Sequence, residues 1–375
     1  MTKLFAITGK PISGEWGTDA EEGNGIPVLR TTNFTNTGKI DYSNVVMRNI
    51  NKNDLTNKYL KKGDIILEKS GGSDKQPVGR VVYFDGPDDT YLFNNFTGLL
   101  RVKEQKEWLP KYVFWALYAS YKQGKTRQFE NKTTGLHNLQ SDAFVKKTDI
   151  KQVDFCKQIE ISAILDKLRC QIETRKNEIN ELDVLVKARF VEMFGDTKLN
   201  MKKFPQEKLS KRAKVGSSRR VFARDFQDSG IPFFRGTEVG ALAEGKKIIP
   251  KLFISKKLYK ELVLATGKPK IGDLLMPSIC PDGRIWQVNT DEEFYFKDAR
   301  VLWISPNSSD KVNSTYLRYA LKQVLINNYR SVASGSTFAE MKIVSLKGLM
   351  IILPPIELQN QFASFVQQVD KSKVA

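Results

Sequence analysis

The chain carries few residues that could run a reaction, and their spacing decides how far each can be taken. Pro87-Asp88 followed by Glu104-Gln105-Lys106 has the spacing of a P-D…E-x-K nuclease site. Two carboxylates and a lysine in that order could hold Mg²⁺ and orient an attacking water. The same residues fit plainer roles. Gly86 to Asp89 reads as a β-turn, and Glu104 to Lys106 as a charged run before a helix. His137 is the only histidine. It stands in a polar stretch, which suits a solvated or hydrogen-bonding ring better than a general base. There is no P-loop, no G-x-G-x-x-G and no serine elbow. Leu353-Pro354-Pro355-Ile356 lacks the preceding Asn or Asp with which methyltransferases hold an amino group, and it opens a helix instead. Cys156, Cys170 and Cys280 are odd in number and form no C-x-x-C pair, which reads as reduced intracellular thiols without a disulfide or zinc site.

Chemistry for binding polyanions is richer. The formal charge is +18 and the isoelectric point about 9.6, a balance that most often serves nucleic acid. From Lys202 to Arg224 there are nine Lys or Arg and one acidic residue, Glu207. Ser217, Ser218, Arg219 and Arg220 stand inside that run. Lys69, Ser70 and Ser73 directly follow an apolar run, and Lys125, Arg127 and Lys132 follow Gly124. Small residues let a backbone approach phosphates, and Lys or Arg neutralises them. Arginine in the same loops can also meet base edges bidentately. Arg30, Arg80, Arg235, Arg284, Arg330 and Ser336 complete the candidate DNA-binding set.

The elements that would position these residues occur twice, about 205 residues apart. Gly25-Ile26-Pro27-Val28-Leu29-Arg30 is echoed by Gly230-Ile231-Pro232-Phe233-Phe234-Arg235. Gly63-Asp64 is echoed by Gly272-Asp273, Gly79-Arg80 by Gly283-Arg284, and Tyr112 to Leu117 by Tyr316 to Leu321. The same spacing sets Gln158 opposite Gln361. A period this long is a duplicated domain, not a solenoid repeat. Within the first copy, residues 64–67, 78–84 and 98–102 read as strands and 109–120 as a helix. Residues 124–140 are polar enough to be a loop. Ile161, Leu165, Leu168, Ile172, Ile179, Leu182, Val186 and Met193 step by fours and threes, with Arg175 and Arg189 at two seam positions. That pattern predicts a long coiled-coil-type helix over 157–194. A second helix, 356 to about 371, repeats its beginning with Leu358, Phe362, Phe365 and Val369. The expected domains are therefore 1–155, a central helix within 156–196, a second copy at 197–353, and a shortened helix at 354–375. No apolar run reaches the about 18 residues of a membrane span, and no signal peptide opens the chain, so a cytoplasmic protein is expected.

These motifs resemble the specificity subunit of Type I restriction-modification systems. The match rests on Gly-Ile-Pro-x-x-Arg at 25–30 and 230–235, the Gly-Asp at 63–64 and 272–273, and Ser334-Gly335-Ser336-Thr337. It also rests on the run from Leu353 to Gln361 and on Ile164-Leu165-Asp166-Lys167-Leu168 between the copies. The resemblance implies a mixed α/β (α+β) fold: two tandem target recognition domains, each reading half of a bipartite DNA sequence, separated by long helices that pack antiparallel as a ruler. It implies that the subunit itself catalyses nothing and binds no cofactor. Its partners would be double-stranded DNA, two modification (methyltransferase) subunits using S-adenosylmethionine, and restriction subunits using ATP and Mg. Two departures shape the expectation. The first copy has Val153-Asp154-Phe155-Cys156 where the second has Pro-Pro. The last helix stops about 20 residues early, so the segment from Ile179 to Met193 is expected to lack a partner within this chain and to make it self-associate. Two rivals stand beside this reading: a stand-alone Mg-dependent nuclease using Asp88, Glu104 and Lys106, and a non-specific basic scaffold.

Overall fold

The computed structural model describes residues 1–374 except 22–23, 52–53, 134–135, 308–311 and 334–338. The chain divides into two compact units, Met1–Arg175 and Lys176–Ala375. The division falls inside a single forty-residue helix, Phe155–Phe194. Four helices recur below: α1 (Pro110–Lys122), α2 (Phe155–Phe194), α3 (Ser314–Val332) and α4 (Ile356–Val374). No described helix is long and apolar enough to cross a membrane.

The two units share two sheets of matching strand order. In the first, an antiparallel sheet runs in the order Ile12–Ser13, Thr97–Leu100, Ile65–Glu68, Val81–Tyr83. In the second, the order is Ala213–Gly216, Val301–Pro306, Leu274–Pro277, Trp286–Gln287. All four residues of Ile65–Glu68 and of Leu274–Pro277 are buried, which explains why these strands read as continuous apolar runs without alternation. A second sheet also recurs. Thr18–Asp19, Val46–Asn49, Ile26–Leu29 and Leu92–Phe93 correspond to Phe226–Gln227, Phe253–Ile254, Ile231–Phe234 and Tyr295–Phe296, and the last pair is parallel in both units.

Hydrogen bonds repeat along with the strands. Asp64 Oδ2 accepts from the Lys61 amide at 2.7 Å, and Asp273 Oδ2 from the Lys270 amide at 3.0 Å. The glycines before these aspartates have φ of 100° and 93°, a left-handed turn that glycine adopts without a Cβ penalty. Tyr112 Oη donates to Lys151 O at 2.8 Å, and Tyr316 Oη to Ile352 O at 2.9 Å. A buried glutamine ties each long helix to the start of the helix it packs on. The Gln158 amide oxygen accepts from Leu109 N at 2.8 Å, and its nitrogen donates to Glu107 O and Val153 O. In the second unit this role falls to Gln359, which accepts from Asn313 N at 2.9 Å and donates to Pro354 O at 2.8 Å. The partner of Gln158 is thus Gln359 and not Gln361, because the Pro-Pro lead-in shifts the register of the second helix. Both glutamines are 0% exposed. Replacing Gln158 with Ala leaves one amide and two carbonyls without partners, and is expected to destabilise the first unit by about 3 kcal/mol in chemical denaturation.

The halves of α2 belong to different cores. Ile161 and Leu165 pack against the cluster holding Trp108, Tyr112 and Phe114 in the first unit. In the second unit Val186, Phe190 and Phe194 are buried with Tyr316, Phe362, Val366 and Val369. Phe190 stacks on Tyr316 at 6.0 Å and meets Phe362 edge-on at 5.4 Å. The expectation that 179–193 lacks a partner within the chain is therefore wrong for one face of it: Leu182, Val186, Phe190 and Met193 pack against α3 and α4. The expected heptad seam also changes. The buried positions step by four through Val186, Phe190 and Phe194, while Leu168 and Ile172 are about half exposed at 48% and 55%.

A second difference concerns residues 124–140. Polar composition suggests a loop, but Lys125–Phe129 is a 3₁₀ turn and Glu130–Thr133 pairs with Leu136–Leu139. That hairpin joins Ser70–Gly72 in a three-stranded sheet. Its buried anchors, Phe129 and Leu139, sit at its two ends, so alternation along the sequence is weak and the pairing depends on a distant strand.

Candidate nucleic-acid interface

The candidate loops leave the ends of two strands and of α1. In the first unit, Lys69 follows Ile65–Glu68 and its Nζ donates to Ser13 Oγ at 3.1 Å. Burial lowers the pKa of Lys69, and the Asp142 charge opposes that. Ser70 Oγ lies 2.5 Å from Asn138 Oδ1, and Ser73 Oγ accepts from Gln76 N at 3.1 Å. Arg127 Nη2 donates to Asp74 O at 3.1 Å. The stretches 69–74, 125–133 and 136–139, separate in sequence, are therefore brought together at the three-stranded sheet. Lys125 is exposed, and Lys132 lies on the strand Glu130–Thr133. His137, expected in a loop, lies on the opposing strand and is buried, with Nδ1 3.6 Å from Glu130 Oε2 and Nε2 3.8 Å from Asp74 Oδ1.

Two arginines hold neighbouring chain, and Arg80 is turned inward. Arg80 grips the buried Glu68 carboxylate at 2.7 and 2.9 Å and donates to Thr31 O and Phe34 O. Its guanidinium braces the chain around Thr31–Asn33 and is not offered to solvent. Arg30 donates to Asn44 O at 3.1 Å, while its own amide is capped by Asn33 Oδ1.

In the second unit the serines of the basic run are also internal fasteners. Ser217 Oγ donates to Val301 O and Ser218 Oγ to Phe296 O, both at 2.6 Å. Arg219 and Arg220 next to them are exposed. Arg235 and Arg284 line a cavity of about 450 Å³ together with Lys297, Arg300, Phe226 and Phe233. Each arginine has a carboxylate: Arg235 with Glu238 at 2.7 Å, Arg284 with Asp282 at 2.7 Å, Arg300 with Glu340 at 3.1 Å. Sequence reading missed Lys297 and Arg300. They follow the strand Tyr295–Phe296, whose counterpart Leu92–Phe93 in the first unit is followed by the buried Asn94. Arg330 lies on α3, and Ser336 is outside the described residues.

Glu238 matters for the shape of this cavity. Burial works against its charge, but the Arg235 guanidinium, the Thr237 hydroxyl and the Arg235 amide outweigh burial and hold its pKa at about 2 instead of the ordinary 4.5. A depressed acid stabilises the fold above its unfolded pKa and loses that contribution as pH falls towards the folded value. The second unit is therefore expected to lose stability between about pH 4.5 and pH 2, and Glu238→Gln to flatten that part of the profile when melting is followed against pH.

The nuclease string has a structural use. Asp88 Oδ1 accepts the Lys62 amide at 2.6 Å, as a turn carboxylate does. Among the described residues no group of three or more His, Cys, Asp or Glu could hold a metal ion.

Comparison with known proteins completes the description. A Haemophilus influenzae type I restriction enzyme specificity subunit is 29% identical over 157 residues, which are 42% of this chain and 37% of that one. The match thus spans well under half the length of that relative. The crystal structure of a Type-I restriction-modification S subunit from M. genitalium superposes with a TM-score of 0.59 at 12% identity, covering 99% of this chain and 89% of that chain. At that identity it is the fold that is shared. The family model for the Type I restriction modification DNA specificity domain matches twice, at residues 8–184 and 229–375, one match on each repeat. With both repeats matched, the chain belongs to the Type I restriction modification DNA specificity family.

Proposed function

We propose that this chain is the sequence-recognition subunit of a Type I restriction-modification complex, working in the cytoplasm and reading a bipartite DNA target. The observation that carries the reading is the duplicated topology. Two units with the same sheet order each present basic loops, and they share one continuous helix. The chain recognises DNA and catalyses nothing. Two methyltransferase subunits supply S-adenosylmethionine-dependent methylation of adenine, and restriction subunits supply the ATP- and Mg-dependent steps. The exposed apolar positions of α2 in the first unit, Ile164, Leu168 and Ile172, are suited to docking such subunits.

Within the loops, Lys125, Arg127, Arg219 and Arg220 meet phosphates or bases, whereas Arg80, Ser217 and Ser218 shape the loops from behind. Mapping methylated adenines in cells with and without this gene tests the reading. Loss of one bipartite motif is expected. An unchanged methylome with the partner genes intact would overturn it, and Mg-dependent cleavage by the purified chain alone would favour the nuclease.

A further inference from the structure

Among the differences between the two units is the loop that leads into the second sheet. In the first, the Glu15 amide donates to Phe93 O at 2.8 Å, and only Trp16 and Gly17 separate it from the strand Thr18–Asp19. Arg48 holds that turn down. It donates to Trp16 O and Gly17 O, both at 3.1 Å, and its guanidinium lies 4.0 Å from the Trp16 ring centroid. In the second unit the matching anchor is Ser218 on Phe296 O, and seven residues, Arg219 to Asp225, precede the strand Phe226–Gln227.

This longer loop is well fastened. The Arg219 amide donates to Tyr295 Oη at 2.9 Å, Val221 is buried in the core at 3% exposure, and the Phe222 amide donates to Asp225 Oδ2 at 3.0 Å. Between these fixings Phe222 is 49% exposed. Two guanidinium groups lie near its ring, Arg220 at 5.4 Å and Arg224 at 5.3 Å from the centroid. Both arginines are exposed, Arg224 at 83% of its side chain. The result is a half-exposed apolar ring on a hydrogen-bonded turn, with two cations beside it.

That arrangement matches a base step, which has an apolar stacked interior and a phosphate on each strand. We propose that Phe222 is a wedge: its ring enters one base step of double-stranded DNA and partly unstacks it, while Arg220 and Arg224 meet the flanking phosphates. Apolar side chains inserted this way kink duplexes and read deformability. At the matching place the first unit has the pinned Trp16–Gly17 turn instead. The proposal rests on the DNA-recognition reading above and adds a residue and a mode of contact to it.

The test uses the assembled methyltransferase complex and a duplex carrying its mapped target, with 2-aminopurine placed at successive purines away from the target adenines, which a methyltransferase itself takes out of the stack. Wild type is expected to brighten the probe several-fold at one step of one half-site. Phe222→Ala should abolish the brightening and weaken binding by about tenfold or more, the factor of one aromatic–base contact, with an unchanged salt slope. Phe222→Leu should keep part of both effects, and thermal melting of the variants should match wild type. Arg220→Ala with Arg224→Ala should instead reduce the salt slope. Brightening that survives Phe222→Ala, or tight binding with no brightening at any step, would overturn the wedge and leave DNA recognition standing. Failure of the wild-type complex to bind the duplex at all would overturn both.

Discussion

Raising the salt from about 50 to about 200 mM is expected to cut the affinity of the complex for its DNA target by about a thousandfold or more. The chain carries a net +18, and each phosphate neutralised by Lys or Arg releases condensed counterions. A site with 6–10 such contacts loses roughly 10³ to 10⁵ in affinity over that range. Neutralising Arg219 and Arg220 together should weaken binding to every sequence and flatten the log–log slope by about two. Titration by fluorescence anisotropy at four or five salt concentrations gives the slope directly. A change confined to one half-site preference would make these two arginines base readers, and a slope near zero would remove the electrostatic basis of the reading.

Inserting four helix-forming residues between Arg175 and Lys176 should abolish methylation at the original site and restore it where the spacer is longer. The two ends of α2 are each gripped by a core: Gln158 by three hydrogen bonds in the first unit, and Phe190 and Phe194 by rings of α3 and α4 in the second. The helix cannot slide within either grip, so the insertion must appear between them. Four residues add about 6 Å and a little over one turn. At about 3.4 Å per base pair, that is one or two base pairs. Methylation mapping of the variant shows the new spacer. Retained methylation at the old spacing would mean that α2 does not set the separation.

The duplication was legible because its markers are physical necessities. Gly63 and Gly272 occupy left-handed turns, Asp64 and Asp273 cap the same amide, and Tyr112 and Tyr316 reach back to the same carbonyl. Less was legible where partners are distant. The seam of α2 could not be read from heptads alone, since Phe190 and Phe194 are buried by aromatic rings of α3 and α4 rather than by a matching coil. The polar hairpin at 130–139 was hidden because it pairs with Ser70–Gly72, about sixty residues earlier. Among the candidate site residues, charge marked the right loops but not the direction of each side chain. Arg80, Ser217 and Ser218 look like DNA contacts in sequence, yet buried carbonyls and Glu68 take their hydrogen bonds. Phe222 carried no sequence signal, because an aromatic beside arginines becomes informative only once the neighbouring Val221 is seen to be buried and Phe222 is not.

The unequal loops at Trp16–Gly17 and Arg219–Asp225 have a consequence for the molecule as a reader. A protein built from two identical halves treats both ends of its target alike and cannot tell forwards from backwards. Here the copies share a frame but present different tips, so on the proposed role the two half-sites differ and the target is no palindrome. A complex seated on such a target has a heading. Whatever is fixed to one end of it always faces the same flank of the chromosome, and seven residues in one copy against two in the other are one source of that polarity.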